Sequence, residues 1–112
     1  DIVHPSARYV FVEENDPRGE NEGSWDQTYL TSPPGWSGST EEDSTAAWHL
    51  LNSTFSWADG HVETHRWLDT KMIAYALSMD PNKYYNGTSP TMITCPLDLL
   101  YVANGYASTE NP

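Results

Sequence analysis

Asp59-Gly60 sits between two segments of alternating character, Ser53-Thr54-Phe55-Ser56-Trp57-Ala58 before it and His61-Val62-Glu63-Thr64-His65-Arg66 after it. Asp-Gly flanked in this way is the strongest short-range signal for a β-hairpin, because both residues tolerate the left-handed backbone of a tight turn. A two-residue turn there sets Ala58 against His61, Trp57 against Val62, Ser56 against Glu63, Phe55 against Thr64 and Thr54 against His65. Phe55, Trp57, Val62 and the Thr64 methyl then share an apolar face. Ser56, His61, Glu63 and His65 share a solvated one. A one-residue slip destroys that separation, so the pattern predicts its own register.

Around the hairpin, strand-like and helix-like stretches follow one another. Arg8 to Glu13 is rich in β-branched and aromatic residues and runs into Asp16-Pro17-Arg18-Gly19, which predicts a central strand ending in an acidic turn. Gly23 to Leu30, with Trp25, Thr28 and Tyr29, is a second strand candidate, and Thr31 to Gly38 reads as a loop by its Pro and Gly content. Acidic Glu41, Glu42 and Asp43 ahead of Ser44-Thr45-Ala46-Ala47-Trp48-His49 suit one short helical turn. Met72, Ile73, Ala76 and Leu77 fall at helical spacing and predict a helix from Trp67 to Met79, stopped by Asp80-Pro81. Asn82 to Pro90 reads as loop. Pro96 early, Asp98 in the first turn and Gly105 just past the end predict a second short helix over Pro96 to Asn104. This order is that of a single small α+β domain over residues 1–112, a small antiparallel sheet with a central hairpin and one or two short helices on one face.

Charge removes whole classes of partner. Five Lys and Arg against 16 Asp and Glu leave a net charge of −11, whereas phosphate backbones and anionic lipid surfaces demand clustered Lys and Arg. Nucleic acid is thereby excluded. No apolar run approaches the roughly 20 residues needed to cross a bilayer, so no direct membrane insertion is expected. Cys95 is the only cysteine, which forbids an internal disulfide and points to a buried thiol rather than a reactive one. The triplets Asn52-Ser53-Thr54 and Asn86-Gly87-Thr88 make Asn52 and Asn86 candidate glycosylation acceptors and favour an exterior setting.

Several constellations invite a chemical reading. His61, Glu63 and His65 alternate along one strand, but at about 3.3 Å rise per residue the outer two stand roughly 13 Å apart, too far for all three to share one ion. A solvated polar face is the expectation, with no metal. The acidic run Glu13 to Glu22 could offer calcium oxygen ligands, yet it places Arg18 at the fifth and Trp25 at the twelfth position of the calcium-loop template counted from Glu14, where oxygen donors belong. Gly35-Trp36-Ser37-Gly38-Ser39 imitates a nucleophile elbow but has Ser39 in place of the last Gly and no strand before it. No catalytic residue is assigned. Of the 5 Trp, Trp36 in the proline loop is the one placed to stack on a ligand.

His49, nine intervening residues and Asp59-Gly60 form an H-x(9)-D-G unit, followed by His61-Val62-Glu63 and Trp67-Leu68-Asp69. With the opening Asp1 to Glu14 and the late Asp98-Leu99-Leu100-Tyr101-Val102, this resembles the processing-associated H-X9-DG segment of bacterial prepilin-type, pseudopilin-like proteins. The resemblance carries over only His49, Asp59 and Gly60 as motif positions and implies a pilin-like globular head. In physical terms, Asp59 and Gly60 make the turn and His49 docks on the hairpin through a ring N–H. Members of that family begin with a leader and a long apolar helix, for which this chain offers no counterpart.

The resemblance therefore implies a structural subunit of a type IV pilus-like or type II secretion pseudopilus-like filament, extracellular or at the cell surface, that works by assembly and display rather than as an enzyme. Its implied partners are other pilin-like subunits and a separate or removed N-terminal apolar helix. No cofactor is expected; at −11 per subunit adjacent copies repel, and cations such as calcium, basic partner surfaces or glycans could separate the charges. The alternative is a secreted carbohydrate-binding module using Trp36. A small metal-dependent hydrolase built on His61 and Glu63 is the third reading.

Overall fold

The β-branched and aromatic run after Arg8 forms strand β1 (Tyr9–Val12). Two two-residue strands, β2 (Gln27–Thr28) and β3 (Thr40–Glu41), pair antiparallel with each other, and β4 (Asn52–Trp57) and β5 (Val62–Arg66) make the hairpin. Helices α1 (Thr70–Ala76) and α2 (Pro96–Gly105) follow. The computed structural model describes residues 2–16, 25, 27–28, 40–41, 43–77 and 90–105. The small α+β class is as expected, with a three-stranded antiparallel sheet in the order β1-β4-β5.

Strand β1 lies at the edge of that sheet, not at its centre as its composition suggested; the hairpin strand β4 takes the middle. A bulge between Tyr9 and Phe11 lets both Tyr9 and Val12 meet inward residues, opposite Trp57 and Phe55, and leaves Phe11 opposite Ser56 on the outer face. The stretch from Ser44 to Ala47, expected to start a helical turn, is extended instead. Asn15 N–H donates to the Ser44 carbonyl and Ala46 N–H to that of Glu13, so it continues alongside β1.

The hairpin exists, but its register is shifted by one residue from the expected one. Ser56 pairs with Val62, Phe55 with Glu63, Thr54 with Thr64 and Ser53 with His65. Trp57 N–H donates to His61 O and Gly60 N–H to Trp57 O, both at 2.9 Å, so the loop holds three residues, Ala58 to Gly60. Gly60 has φ 95 while Asp59 is not among the residues with positive φ. A two-residue turn requires the left-handed backbone twice, once at a residue with a Cβ; the three-residue turn with its bulge requires it only at glycine. His61, Glu63 and His65 consequently lie on the inner face beside Trp57, Phe55 and Ser53, and Val62 lies outside.

Helix α1 starts at Thr70, three residues later than expected, because Trp67 to Asp69 are held extended; the expected end at Met79 lies outside the described residues. Helix α2 begins at Pro96 as expected and keeps Gly105 as its last residue. Phe55, Trp57, Trp67, Met72, Ala76, Cys95, Leu99 and Val102 close the core between the sheet's inner face and the two helices. Each large side chain buried there contributes about 1.5–3 kcal/mol of transfer free energy. The Trp67 indole N–H is satisfied at depth by Ala46 O and Ser53 Oγ, each at 2.9 Å.

Candidate functional site

His49, Asp59 and Gly60 do not converge on one point. Left-handed Leu50 and Leu51, φ 55 and 67, turn the chain sharply between His49 and β4. His49 Nε2–H donates to Glu13 Oε1 at 3.0 Å, rather than to the hairpin itself. Glu13 joins the two: its Oε2 accepts the Thr54 N–H at 2.7 Å, so one carboxylate ties the histidine to β4. At the far end of the hairpin, Asp59 Oδ1 accepts from His61 N–H at 3.2 Å and from His61 Nδ1–H at 2.5 Å. Those hydrogen bonds from His61, its backbone N–H foremost, hold the Asp59 carboxyl below the usual carboxylate range.

The register shift assembles a second row that the sequence did not announce, where β5 meets α2. His61 stacks on Trp57, with ring centroids 5.4 Å apart and planes 6° from parallel. Tyr101 OH donates to Glu63 Oε1 at 2.6 Å. His65 stacks on Tyr101 at 3.7 Å and donates Nε2–H to Asp98 Oδ1 at 3.1 Å. Burial first, and then the Glu63 carboxylate accepting its hydrogen, push the Tyr101 phenol well above the ordinary phenol range. The hydroxyl therefore stays a donor.

A cleft of about 300 Å³ opens between the Pro5–Ala7 turn, β5 and the C-terminal end of α2. It is lined by Trp57, His61, Glu63, Tyr101, Asn104 and Gly105, together with the small residues of the turn. The Trp57 and Tyr101 rings meet edge-on at 84° with centroids 6.5 Å apart, and the Glu63 carboxylate lies at the Tyr101 hydroxyl. The Trp57 indole N–H is buried and meets no acceptor among the described residues, so Trp57 presents no donor to the cleft. Arg8 is turned away onto backbone, its Nη1 donating to Ala7 O at 2.9 Å and Asn104 O at 2.7 Å.

His65 and Asp98 have the geometry of a base and its orienting acid, but among the described residues no serine, threonine or cysteine hydrogen-bonds to His65. Cys95 is fully buried, and burial raises its thiol above the ordinary value. Among the described residues no three His, Cys, Asp or Glu side chains lie close enough to hold a metal ion. Asn52 heads β4 with its amide nitrogen already donated to His49 O and Leu50 O. Trp36, Asn86, the elbow-like Gly35 to Ser39 and most of the acidic run lie outside the described residues. Sequence reasoning missed the pairing of Tyr101 with Glu63 and the partners of Asp69 and Asp98; the only hint was the Asp-Leu-Leu-Tyr segment itself.

Comparison with known proteins finds no matching family model, no matching curated protein and no matching solved structure.

Proposed function

We propose that this chain is the globular, outward-facing part of a pilin-like or pseudopilin-like filament subunit, acting by assembly and display at the cell surface rather than by catalysis. The observation that carries the reading is the use of the H-x(9)-D-G groups. His49 is spent on Glu13, Asp59 on His61, and Gly60 on the positive φ of the turn, so all three serve the hairpin's mounting and none faces a reaction centre.

The outer face of the sheet agrees with that role. Phe11, Ser56 and Val62 align across the three strands, with Phe11 and Val62 exposed by 74% and 62%. The outward positions of β4 and β5 are Asn52, Thr54, Ser56, Val62, Thr64 and Arg66, without one carboxylate, in a chain of net charge −11. Acidic copies repel wherever their carboxylates meet, and a face whose outward positions on β4 and β5 carry none adds little to that repulsion.

Intact-mass spectrometry and N-terminal sequencing of protein from its native source test the reading. A chain recovered from the sheared-filament fraction, continuous or copurifying with an apolar helical segment, is the expected result. A chain that follows an ordinary secretory signal and purifies alone as a soluble monomer overturns it.

A further inference from the structure

We propose that the free edge of β5 pairs antiparallel with the β5 edge of a second copy of this chain, joining the two three-stranded sheets into one about a two-fold axis at Thr64. The inference rests on that edge alone and stands whether or not the chain assembles into filaments.

The edge is open over a defined length. With the hairpin in its observed register and Trp57 N–H donating to His61 O, bonded pairs alternate with unbonded ones, so Glu63 and His65 exchange their backbone bonds with β4. The N–H and C=O groups of Val62, Thr64 and Arg66 point the other way, and among the described residues nothing takes them. The next donor in that row, Leu68 N–H, is held by the Asp98 carboxylate, which ends the free edge at Arg66.

Edge strands invite pairing unless something guards them, and the two edges of this sheet differ in that respect. Strand β1 carries a bulge between Tyr9 and Phe11, and past it the Glu13 carbonyl is taken by Ala46 N–H. Strand β5, Val-Glu-Thr-His-Arg, pairs with β4 without a bulge, contains no Pro, Gly or Lys, and is exposed at every residue but His65.

The sequence of β5 selects a second copy as the occupant. Antiparallel pairing centred on Thr64 sets Thr64 against Thr64 and Val62 against Arg66 as bonded pairs, with Glu63 against His65 between them. Two β-branched threonines then meet, the Arg66 stem lies over exposed Val62, and each Glu63 carboxylate faces an imidazole. The neighbouring registers are poorer. Centring on Glu63 brings two carboxylates face to face, and centring on His65 sets Val62 against Leu68, whose N–H is already taken. Away from the seam the copies repel at −11 each, so the pairing tightens as salt rises.

Sedimentation velocity of the full chain from micromolar to millimolar concentration, at low and high salt, tests the pairing. A monomer–dimer equilibrium is expected, at least about threefold tighter at high salt. Amide hydrogen exchange locates the contact: the Val62, Thr64 and Arg66 amides are expected to slow about tenfold under dimer-forming conditions, and those of Glu63 and His65, bonded to β4 in either state, to change little. Thr64→Pro removes a donor that the fold itself does not use and is expected to abolish the dimer.

A chain that stays monomeric throughout, a dimer that leaves the Val62, Thr64 and Arg66 amides exchanging freely, a dimer unaffected by Thr64→Pro, or protection of those amides by an unrelated Val-Thr-Val-Thr-Val peptide but not by a second copy would each overturn the proposal. Should Thr64→Pro fail to fold, the exchange pattern of the unaltered chain decides alone.

Discussion

Asp69 and Asp98 each hold the backbone of the other's helix. Asp69 occupies the N-cap position of α1 but makes no capping bond there. Its Oδ2 instead accepts the Leu97 and Asp98 N–H groups at the start of α2, both at 3.0 Å. Asp98, buried in the first turn of α2, returns the contact. Its carboxylate accepts Leu68 N–H at 3.0 Å and Asp69 N–H at 2.8 Å at the entry to α1, and His65 Nε2–H besides. The exchange satisfies orphan donors at a helix start and sets a negative charge against the positive end of a helix dipole. The opposite ends are clasped from the other side of the domain, α1 by Asn15 Nδ2 on Ala76 O and α2 by Arg8 and Tyr9 on Asn104 O and Val102 O.

Removing Asp98 leaves two backbone donors and a histidine without an acceptor at depth, so Asp98→Ala is expected to cost at least about 3 kcal/mol. Asp69→Ala removes an exposed-side cap and is expected to cost about 1 kcal/mol. Urea unfolding of the two variants and their double mutant measures both, with a double-mutant loss smaller than the sum because the two share one clamp. Equal and small losses for both would show that Asp98 is not the anchor of the α1 entry.

Much of the scaffold was legible locally and the site was not. The hairpin, the start of α2 and the helical character of α1 follow from Asp59-Gly60, Pro96 and the Met72-Ile73-Ala76 spacing, each a signal within a few residues. The register escaped because alternation alone made Val62 a core residue. What overrides it is α2, some thirty residues on, which brings Tyr101 to Glu63 and Asp98 to His65 and so gives polar side chains partners on the inner face. Likewise His49 was expected on the hairpin, yet its acceptor is Glu13, 36 residues earlier in the chain. Reciprocal contacts of this kind leave no periodic trace in a sequence.

Gly60 supplies the one left-handed residue of the hairpin loop, at φ 95, with open space where a Cβ would stand. Gly60→Ala therefore carries conformational strain without a clash, and a loss of about 1 kcal/mol in unfolding free energy is expected. A loss several times larger would mean that the register itself depends on this glycine.

Gly105 is needed for a different reason. A Cβ there would lie 2.4 Å from Tyr9 Cδ1 and 3.3 Å from Trp57 Cη2, with the glycine's backbone in no special conformation. Tyr9 cannot yield freely, because its hydroxyl donates to Val102 O and its ring packs edge-on to Trp57. Gly105→Ala is expected to cost about 1–3 kcal/mol by overpacking, more than Gly60→Ala. Restored stability in the double variant Gly105→Ala, Tyr9→Leu would locate the strain at that contact.

The Tyr101 phenol makes stability fall in alkali. Burial and the Glu63 carboxylate raise its folded pKa above the ordinary phenol value of about 10. Above that value the unfolded chain has lost the proton that the folded chain still binds, so ν of the unfolded state is the smaller and the unfolding free energy declines as pH rises. Below it both states are protonated and the residue adds no slope. Ultraviolet titration should accordingly show Tyr101 remaining un-ionised where ordinary tyrosines ionise, until the chain unfolds. Glu63→Gln removes the neighbouring negative charge and is expected to move its ionisation back toward the ordinary range, and Tyr101→Phe to flatten the alkaline decline. An alkaline limb unchanged in Tyr101→Phe would assign the decline to another group.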